Sequence, residues 1–209
     1  MEITLIPAHH RGVKTGASSQ AETATRHDAI LLFEKARRRL LDVNRWHELA
    51  GPGSAAFRLC DSNGNELHNK QPEVGNLIRI SLPAPPNQEG KGYDWVRIEA
   101  FENHKDLLKD QDIFGFRVRP VQSPLSDNAN GETAHFYTSS ATSTFIVMRA
   151  SSKVTAMEKG RNEVANSWPK EVLSKLRNVV VAVGAWLGLS HSQWSKLVKG
   201  IIKGPPQEN

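Results

Sequence analysis

Between residues 55 and 157, apolar and polar residues alternate in short runs, and turn or loop residues separate one run from the next. Alternation with a period of two is typical of strands that bury one face of a sheet. Parallel strands need a long crossover, usually a helix, and no helical pattern lies between these runs. The chain therefore predicts an antiparallel sheet.

The clearest strand covers residues 142–150, whose apolar centre, Phe-Ile-Val-Met, suits a strand buried on both faces. Residues 151–153 indicate a turn, and residues 154–157 indicate the return strand. We expect Gly160 to end that strand, because the backbone there would adopt an angle that suits only glycine. The remaining runs cover residues 55–60, 76–82, 93–101 and 114–118.

Three helices are predicted around the sheet. The first begins near Thr25, where a hydroxyl followed by the acid of Asp28 forms a capping box. A long valine-rich helix starts at Pro169, because proline suits the first helical position. It ends near Leu187. A short amphipathic helix follows Ser190.

This element order predicts an α+β fold, in which a curved antiparallel sheet of about seven strands packs on the long C-terminal helix. An N-terminal helix and a short terminal helix complete the fold. Over residues 3–187, the order resembles the START-like helix-grip superfamily. The resemblance implies a sheet that wraps the long helix, with a hydrophobic ligand often held between them.

Three segments are expected along the chain. Residues 1–24 form a flexible arm, because residues 12–25 are rich in Gly, Ser, Thr and Ala, although residues 3–6 predict a short strand. Residues 25–188 form a single α+β domain. Residues 189–209 form an appended amphipathic helix and tail.

Composition narrows the class of protein. The 209 residues are 38% apolar and 23% charged, which is typical of a soluble globular protein. Cys60 is the only cysteine, which excludes an internal disulfide and a thiolate zinc site. No apolar run approaches the roughly 20 residues of a membrane-spanning helix, and no cofactor motif is present. We expect a cytoplasmic protein without metal or cofactor.

An arginine lies near the middle of several predicted strands, at Arg58, Arg79, Arg97, Arg117 and Arg149. The first four lie opposite the apolar positions of their strands, so one shared sheet would place them on one face. Guanidinium groups suit phosphate or carboxylate, and Trp95 on that face would stack on a ring or base. The alternative is a solvated face whose arginines pair with Glu66, Glu99 or Glu158. We favour this alternative, because antiparallel sheets commonly wet one face, and nucleic acid is not an expected partner.

A second set of polar residues surrounds the last strand, at His135, Tyr137, Arg161, Asn162 and Glu163, with Asp94 as a further carboxylate. A histidine and a carboxylate perform acid–base catalysis where they converge, so His135 and Glu163 are the candidate catalytic pair. The favoured alternative is that Arg161 pairs locally with Glu163 while the asparagines cap the next helix. The chain lacks G-x-S-x-G, H-E-x-x-H and a phosphate-binding glycine loop, which favours a non-enzymatic role.

Most of the net charge of +5 arises in the C-terminal segment, residues 168–209, and the rest of the chain is nearly neutral. Trp186 and Trp194, with Lys196, Lys199 and Lys203, would suit an anionic membrane surface or a partner helix. The alternative is that the long helix is core and the last helix covers it. A homodimer contact through the last helix is a further alternative.

The function predicted from these patterns is non-catalytic binding of a small, partly apolar ligand, hydrophobic or anionic, between the sheet and the long helix. One alternative is an enzyme with acid–base chemistry at His135 and Glu163. Another is an interaction module that acts through the basic C-terminal helix. The residues predicted to contact the ligand are Trp95, Arg97, Phe145, Arg149, Arg161, Asn162, Val179, Val183 and Trp186.

Overall fold

The computed structural model of the protein describes residues 3–81, 93–125, 137–164 and 192–206. These residues form a seven-stranded antiparallel sheet together with helices, which confirms the predicted α+β class. The strands are β1 Val13–Glu22, β2 Ala56–Cys60, β3 Leu77–Ser81, β4 Asp94–Asp106, β5 Gln111–Pro120, β6 Thr142–Ala150 and β7 Lys153–Glu163.

The sheet is an up-and-down meander with one added edge strand. Its order is β1-β7-β6-β5-β4-β3-β2, so each strand from β2 to β7 pairs with its neighbour in sequence. The first strand pairs antiparallel with the last, and Ala17 lies opposite Glu158. The first and the last strand of the sheet are therefore neighbours, and β1 forms the edge.

Strand β1 corrects the expectation of a flexible arm. Small and polar residues dominate β1, yet it pairs with β7 along nearly its whole length. Backbone pairing with an available edge, rather than local propensity, decides its structure. Residues 3–6 form no strand, and Leu5 instead packs against Ile113 and Ile146. The proposed domain boundaries stay a prediction.

Three helices among the described residues cover one face of the sheet, here called the helix-covered face. They are α1 Arg26–Leu41, α2 Trp46–Ala50, which follows the 3-10 turn Val43–Arg45, and α3, residues 192–203. Trp46 lies at the centre of this core, with ring centroids 4.9 Å from Phe145, 5.3 Å from Phe57 and 6.0 Å from Phe116. Trp194 of α3 packs on Phe145 and Phe57 as well.

The helix ends follow from side-chain and backbone capping. The Thr25 hydroxyl accepts a hydrogen bond from the Asp28 amide at 3.1 Å, as the sequence predicted. At the other end of the fold, Arg39 Nη1 donates to the carbonyls of Ile201 and Ile202, both at 2.9 Å. These bonds satisfy carbonyls that the last turn of α3 leaves without helical partners.

The strands β4 and β5 extend further than the alternation indicated. Residues 103–112 predicted a polar connection, but β4 continues to Asp106 and β5 begins at Gln111. The turn between them places Asp110 at φ 46°. Hairpin pairing extends through polar residues here because the backbone, not the side chains, makes the ladder.

The predicted long helix, residues 169–187, lies outside the described residues. Its proposed ligand contacts, Val179, Val183 and Trp186, therefore lie outside the described residues as well. The catalytic candidate His135, which precedes β6, also lies outside them. Among the described helices, none is long and apolar enough to cross a membrane.

Candidate functional site

The row of arginines forms ion pairs across the sheet. Arg79 Nη2 lies 2.5 Å from Glu66 Oε1, and Arg58 Nε lies 3.8 Å from Glu66 Oε2. Arg117 and Arg119 both pair with Glu99. These are the ion pairs that the solvated-face alternative predicted for Glu66 and Glu99. They occupy the guanidinium groups that a bound anion would need.

Trp95 does not form the stacking surface that the sequence indicated. It is fully buried with Cys60 and Leu77, and Val121 and Leu125 pack against this cluster. The alternation placed Trp95 on the correct strand face but did not show that residues 121–125 cover that face. Arg97, on the same strand, is exposed.

Asn162 and Arg161 hold the chain together rather than face an open site. Asn162 Oδ1 accepts hydrogen bonds from the amides of His10 at 2.7 Å and Arg11 at 3.3 Å, and Nδ2 donates to the carbonyl of Ala8. Arg161 Nη1 donates to the Gly160 carbonyl at 2.7 Å. Their predicted ligand contacts gain no support from this geometry.

Arg149 is likewise engaged by its own chain. Its Nε donates to Asp112 Oδ2 at 2.6 Å, Nη2 to Asp110 Oδ1 at 2.8 Å and Nη1 to the carbonyl of Ser151 at 3.0 Å. A cleft of about 190 Å³ beside it lies between α1 and β4–β5 and carries polar and charged lining such as Glu34 and Lys105. This cleft lies elsewhere than the ligand site predicted between the sheet and the long helix, and its lining is mostly polar and charged.

A bulge in β7 brings its last residues onto the helix-covered face. Val13 pairs with Glu163 and Thr15 pairs with Gly160, so Lys14 alone lies opposite two residues of β7. The extra residue puts Asn162 at φ 55° and turns Glu163 to the face on which Gly160 lies. In a regular strand, residues 160 and 163 would lie on opposite faces.

Gly160 leaves the space that the Glu163 carboxyl fills. A Cβ atom at Gly160 would collide with the hydroxyl of Thr15 and with the carboxyl group of Glu163. The backbone at this position is not in the left-handed region, and β7 continues to Glu163. The expectation that Gly160 ends the strand through its backbone angle was therefore wrong, and the missing side chain is what matters.

Glu158 is the second carboxyl of this region. The alternation of Val154 and Ala156, both buried in the helix-covered core, continues to Glu158, which is only 1% exposed. Phe145 lies opposite Glu158 on β6, and Ala17 lies opposite it on β1. Among the described residues, no hydrogen-bond partner reaches Glu158 Oε1.

Burial sets the protonation of this carboxyl pair, Glu158 and Glu163. Burial raises the pKa of Glu158 to about 8, and the charge of Glu163 raises it further than hydrogen bonding from Ser143 lowers it. Burial also raises the pKa of Glu163, against a hydrogen bond from Thr15 that lowers it. Glu163 is 4% exposed, and its Oε2 has no hydrogen-bond partner among the described residues.

Tyr137 is the third buried group at this place. Burial raises the pKa of its hydroxyl well above the ordinary value, and the charges of Glu163 and Glu158 raise it further. The phenol is therefore neutral. The described residues contain no group of three or more His, Cys, Asp or Glu that would hold a metal ion. The chemistry of the site is that of two carboxyl groups beside apolar walls.

The sequence indicated Glu163 and Tyr137 as candidate site residues, but it indicated Glu158 only as an ion-pair partner for arginines. A signal was present, since Glu158 continues the alternation of Val154 and Ala156, which assigns an acid to a buried face. The bulge that turns Glu163 carries no comparable sequence signal, because it depends on pairing between the two ends of the chain.

Glu158 should make stability depend on pH. The folded chain keeps a proton on Glu158 that the unfolded chain releases near its ordinary pKa of 4.5. Stability is therefore fully present below that value and is lost as pH rises towards about 8. We expect the unfolding free energy to fall with pH by up to roughly 1.4 kcal/mol per unit from this group.

Urea unfolding at pH 5 and pH 7.5 measures this slope. Glu158→Gln should flatten it and raise stability at pH 7.5 relative to the unsubstituted chain. Glu22→Gln, at an exposed position of β1, is the matched control and should keep the original slope. Equal slopes in Glu158→Gln and Glu22→Gln would show that Glu158 keeps its ordinary protonation.

Comparison with known proteins identifies no family. No family model matches the chain, and no curated protein matches it. Solved structures with a similar course include a hypothetical protein of Helicobacter pylori, at 10% identity and TM-score 0.44 over 94% of this chain and 98% of that one. The Zhui aromatase/cyclase from Streptomyces sp. R1128 gives 8% identity and TM-score 0.36 over 90% and 94%. The ginseng major latex-like protein 151 from Panax ginseng gives 12% identity and TM-score 0.31 over 84% and 98%. TM-scores below 0.5 carry no assignment of function, and the START-like resemblance stays a prediction.

Proposed function

We propose that the protein binds a small, partly apolar ligand, without catalysis, at the carboxyl pair on the helix-covered face. The observation that carries this proposal is the presence of two buried carboxyl oxygens, Glu158 Oε1 and Glu163 Oε2, without hydrogen-bond partners among the described residues. A buried polar atom without a partner costs about 1–3 kcal/mol, and folded proteins seldom leave one. A ligand that supplies the partners recovers this free energy.

An apolar side chain lies beside the carboxyl pair. Phe145 lies opposite Glu158 in the ladder and belongs to the aromatic group around Trp46. Phe145 was among the predicted ligand contacts. A site with carboxyl groups at one side and aromatic rings at the other suits a molecule with one polar end. Contacts from Val179, Val183 and Trp186, a cytoplasmic location and a homodimer stay predictions.

Binding of N-phenyl-1-naphthylamine, a neutral fluorescent probe with one N–H group, tests the proposal. We expect saturable binding of one probe per chain, because the probe offers both a donor and an apolar surface. Glu158→Met should weaken it by roughly 2- to 10-fold, the equivalent of one hydrogen bond. Native mass spectrometry of the purified protein would show a co-purified ligand in the same preparation.

Glu22→Met is the matched control, because Glu22 is exposed on β1, away from the helix-covered face. It should bind the probe like the unsubstituted chain. Absence of saturable binding, or equal weakening by Glu158→Met and Glu22→Met, would overturn the proposed site. Thermal unfolding of each variant confirms that the fold is retained.

A second candidate function is acid–base catalysis at the same carboxyl pair. Two buried carboxyls in unequal surroundings favour it, because such pairs divide the roles of acid and base. The predicted partner His135 lies outside the described residues. Chemical conversion of a bound ligand, seen as a new mass in the native spectrum, would favour this function over simple binding.

A further inference from the structure

We propose that the carboxyl pair selects ligands whose polar end is an ammonium or another N–H-donating cation, and that it rejects carboxylate ligands. This inference rests on the proposed function and names its ligand class. It departs from the hydrophobic or anionic ligand that the sequence indicated.

The first argument is charge. The ion pairs of the described residues do not include Glu158 or Glu163. Lys159 and Arg161 lower the pKa of Glu158, and Arg161 lowers that of Glu163, but burial outweighs these cations at both carboxyls. Arg161 Nη1 donates to the backbone carbonyls of Gly160 and Thr15. A ligand carboxylate would add a third acid to a place where two already oppose each other's ionisation.

The second argument is hydrogen-bonding capacity. Glu158 Oε1 and Glu163 Oε2 are acceptors when their carboxyls are ionised, and an ammonium group carries three donors and no acceptor. The positive charge of a bound ammonium favours this ionised form of Glu158, which keeps its proton in the free protein. One ammonium placed between them would satisfy both oxygens. A carboxylate offers only acceptors, and an alcohol offers a single donor without charge. Hydrogen bonds between charged groups are the stronger kind, so the cation is favoured over the alcohol.

The third argument is that the backbone of β7 holds the two carboxyl groups on the same face of the sheet. The bulge turns Glu163 to the helix-covered face, and Gly160 lacks the side chain that would displace its carboxyl. Tyr137 stays neutral beside the pair, so the two carboxyls are the only source of negative charge among these three groups. Lys159 lies at the alternate position between Glu158 and Gly160, which directs it to the other face of β7.

Three probes of equal chain length test the selectivity, namely octylammonium, octan-1-ol and octanoate, measured by calorimetry at pH 7 and low salt. We expect octylammonium to bind at least tenfold more tightly than octanoate, with octan-1-ol between them. In Glu163→Gln, the preference of octylammonium over octan-1-ol should disappear and octanoate should bind no more weakly than before. Glu22→Gln should keep the original order.

The outcomes separate this inference from the proposed function. Binding of octan-1-ol or octanoate at least as tight as that of octylammonium would leave ligand binding standing and overturn the selectivity. An unchanged order in Glu163→Gln would overturn it as well. Absence of binding by all three probes would overturn both proposals. If Glu163→Gln fails to fold, Glu158→Gln makes the same test at the other carboxyl.

Discussion

A chain that ends at Gly188 is expected to lose its cooperative unfolding transition. Such a chain lacks α3, four of whose apolar side chains are buried in the main core: Leu197, Val198, Ile201 and Ile202. Full burial of each contributes about 1.5–3 kcal/mol. Their sum is comparable with the total stability of a domain, about 5–15 kcal/mol.

The packing of α3 is close, which makes the loss hard to compensate. A Cβ atom at Gly200 would collide with the backbone carbonyl of Leu49, so α3 lies directly against α2. Removing α3 also uncovers Phe57 and Phe145, the ring partners of Trp194. A large apolar surface would then face water.

Circular dichroism and tryptophan fluorescence during thermal unfolding measure this effect. A chain that ends at Pro206 keeps α3 and is the matched control, and it should unfold cooperatively. Gly200→Val should behave like the truncated chain, because the added side chain separates α3 from Leu49. A cooperative transition with an unchanged midpoint in the chain that ends at Gly188 would show that α3 is an appended unit, as the interaction-module reading requires.

The sequence predicted those elements whose signals are local. The range 142–150 matches β6, Thr142–Ala150, because a β-branched and aromatic run between turn residues leaves one strand assignment. The start of α1 at Thr25 was equally clear, because capping is a contact between residues three apart. The antiparallel order followed from the absence of crossovers between the runs.

Elements that depend on distant pairing were missed. Strand β1 consists of small and polar residues that form a strand only because β7 offers its edge. The bulge opposite Lys14 and the space above Gly160 likewise exist only once the two ends of the chain pair. The carboxyl pair could therefore be named only in part from the sequence, as Glu163 without Glu158.

Arg149 shows how a correct observation led to a different role. Burying an arginine in the middle of an apolar strand costs free energy unless the guanidinium is paired. The sequence interpretation therefore assigned a ligand as the partner of Arg149. The cross-strand register places Asp112 opposite Arg149, and the β4–β5 turn brings Asp110 to the same guanidinium. Arg26, at the start of α1, also pairs with Asp110, so the network joins the helix to both hairpins.

Arg149→Met should therefore lower the free energy of unfolding by about 3–5 kcal/mol, the range for removing one partner of a buried ion pair. Arg149 is 1% exposed, and its loss leaves the Asp112 carboxylate buried without the guanidinium. The double variant Arg149→Met with Asp112→Leu should recover most of the loss, because an apolar pair carries no desolvation cost.

Urea denaturation of the single and double variants measures both effects in one double-mutant cycle. Arg26→Met is the matched control, since it removes an exposed arginine from the same network and should change stability little. A loss in Arg149→Met no larger than that in Arg26→Met would contradict a structural role for the buried guanidinium. Recovery in the double variant would assign the cost to the stranded carboxylate, because the methionine is present in both.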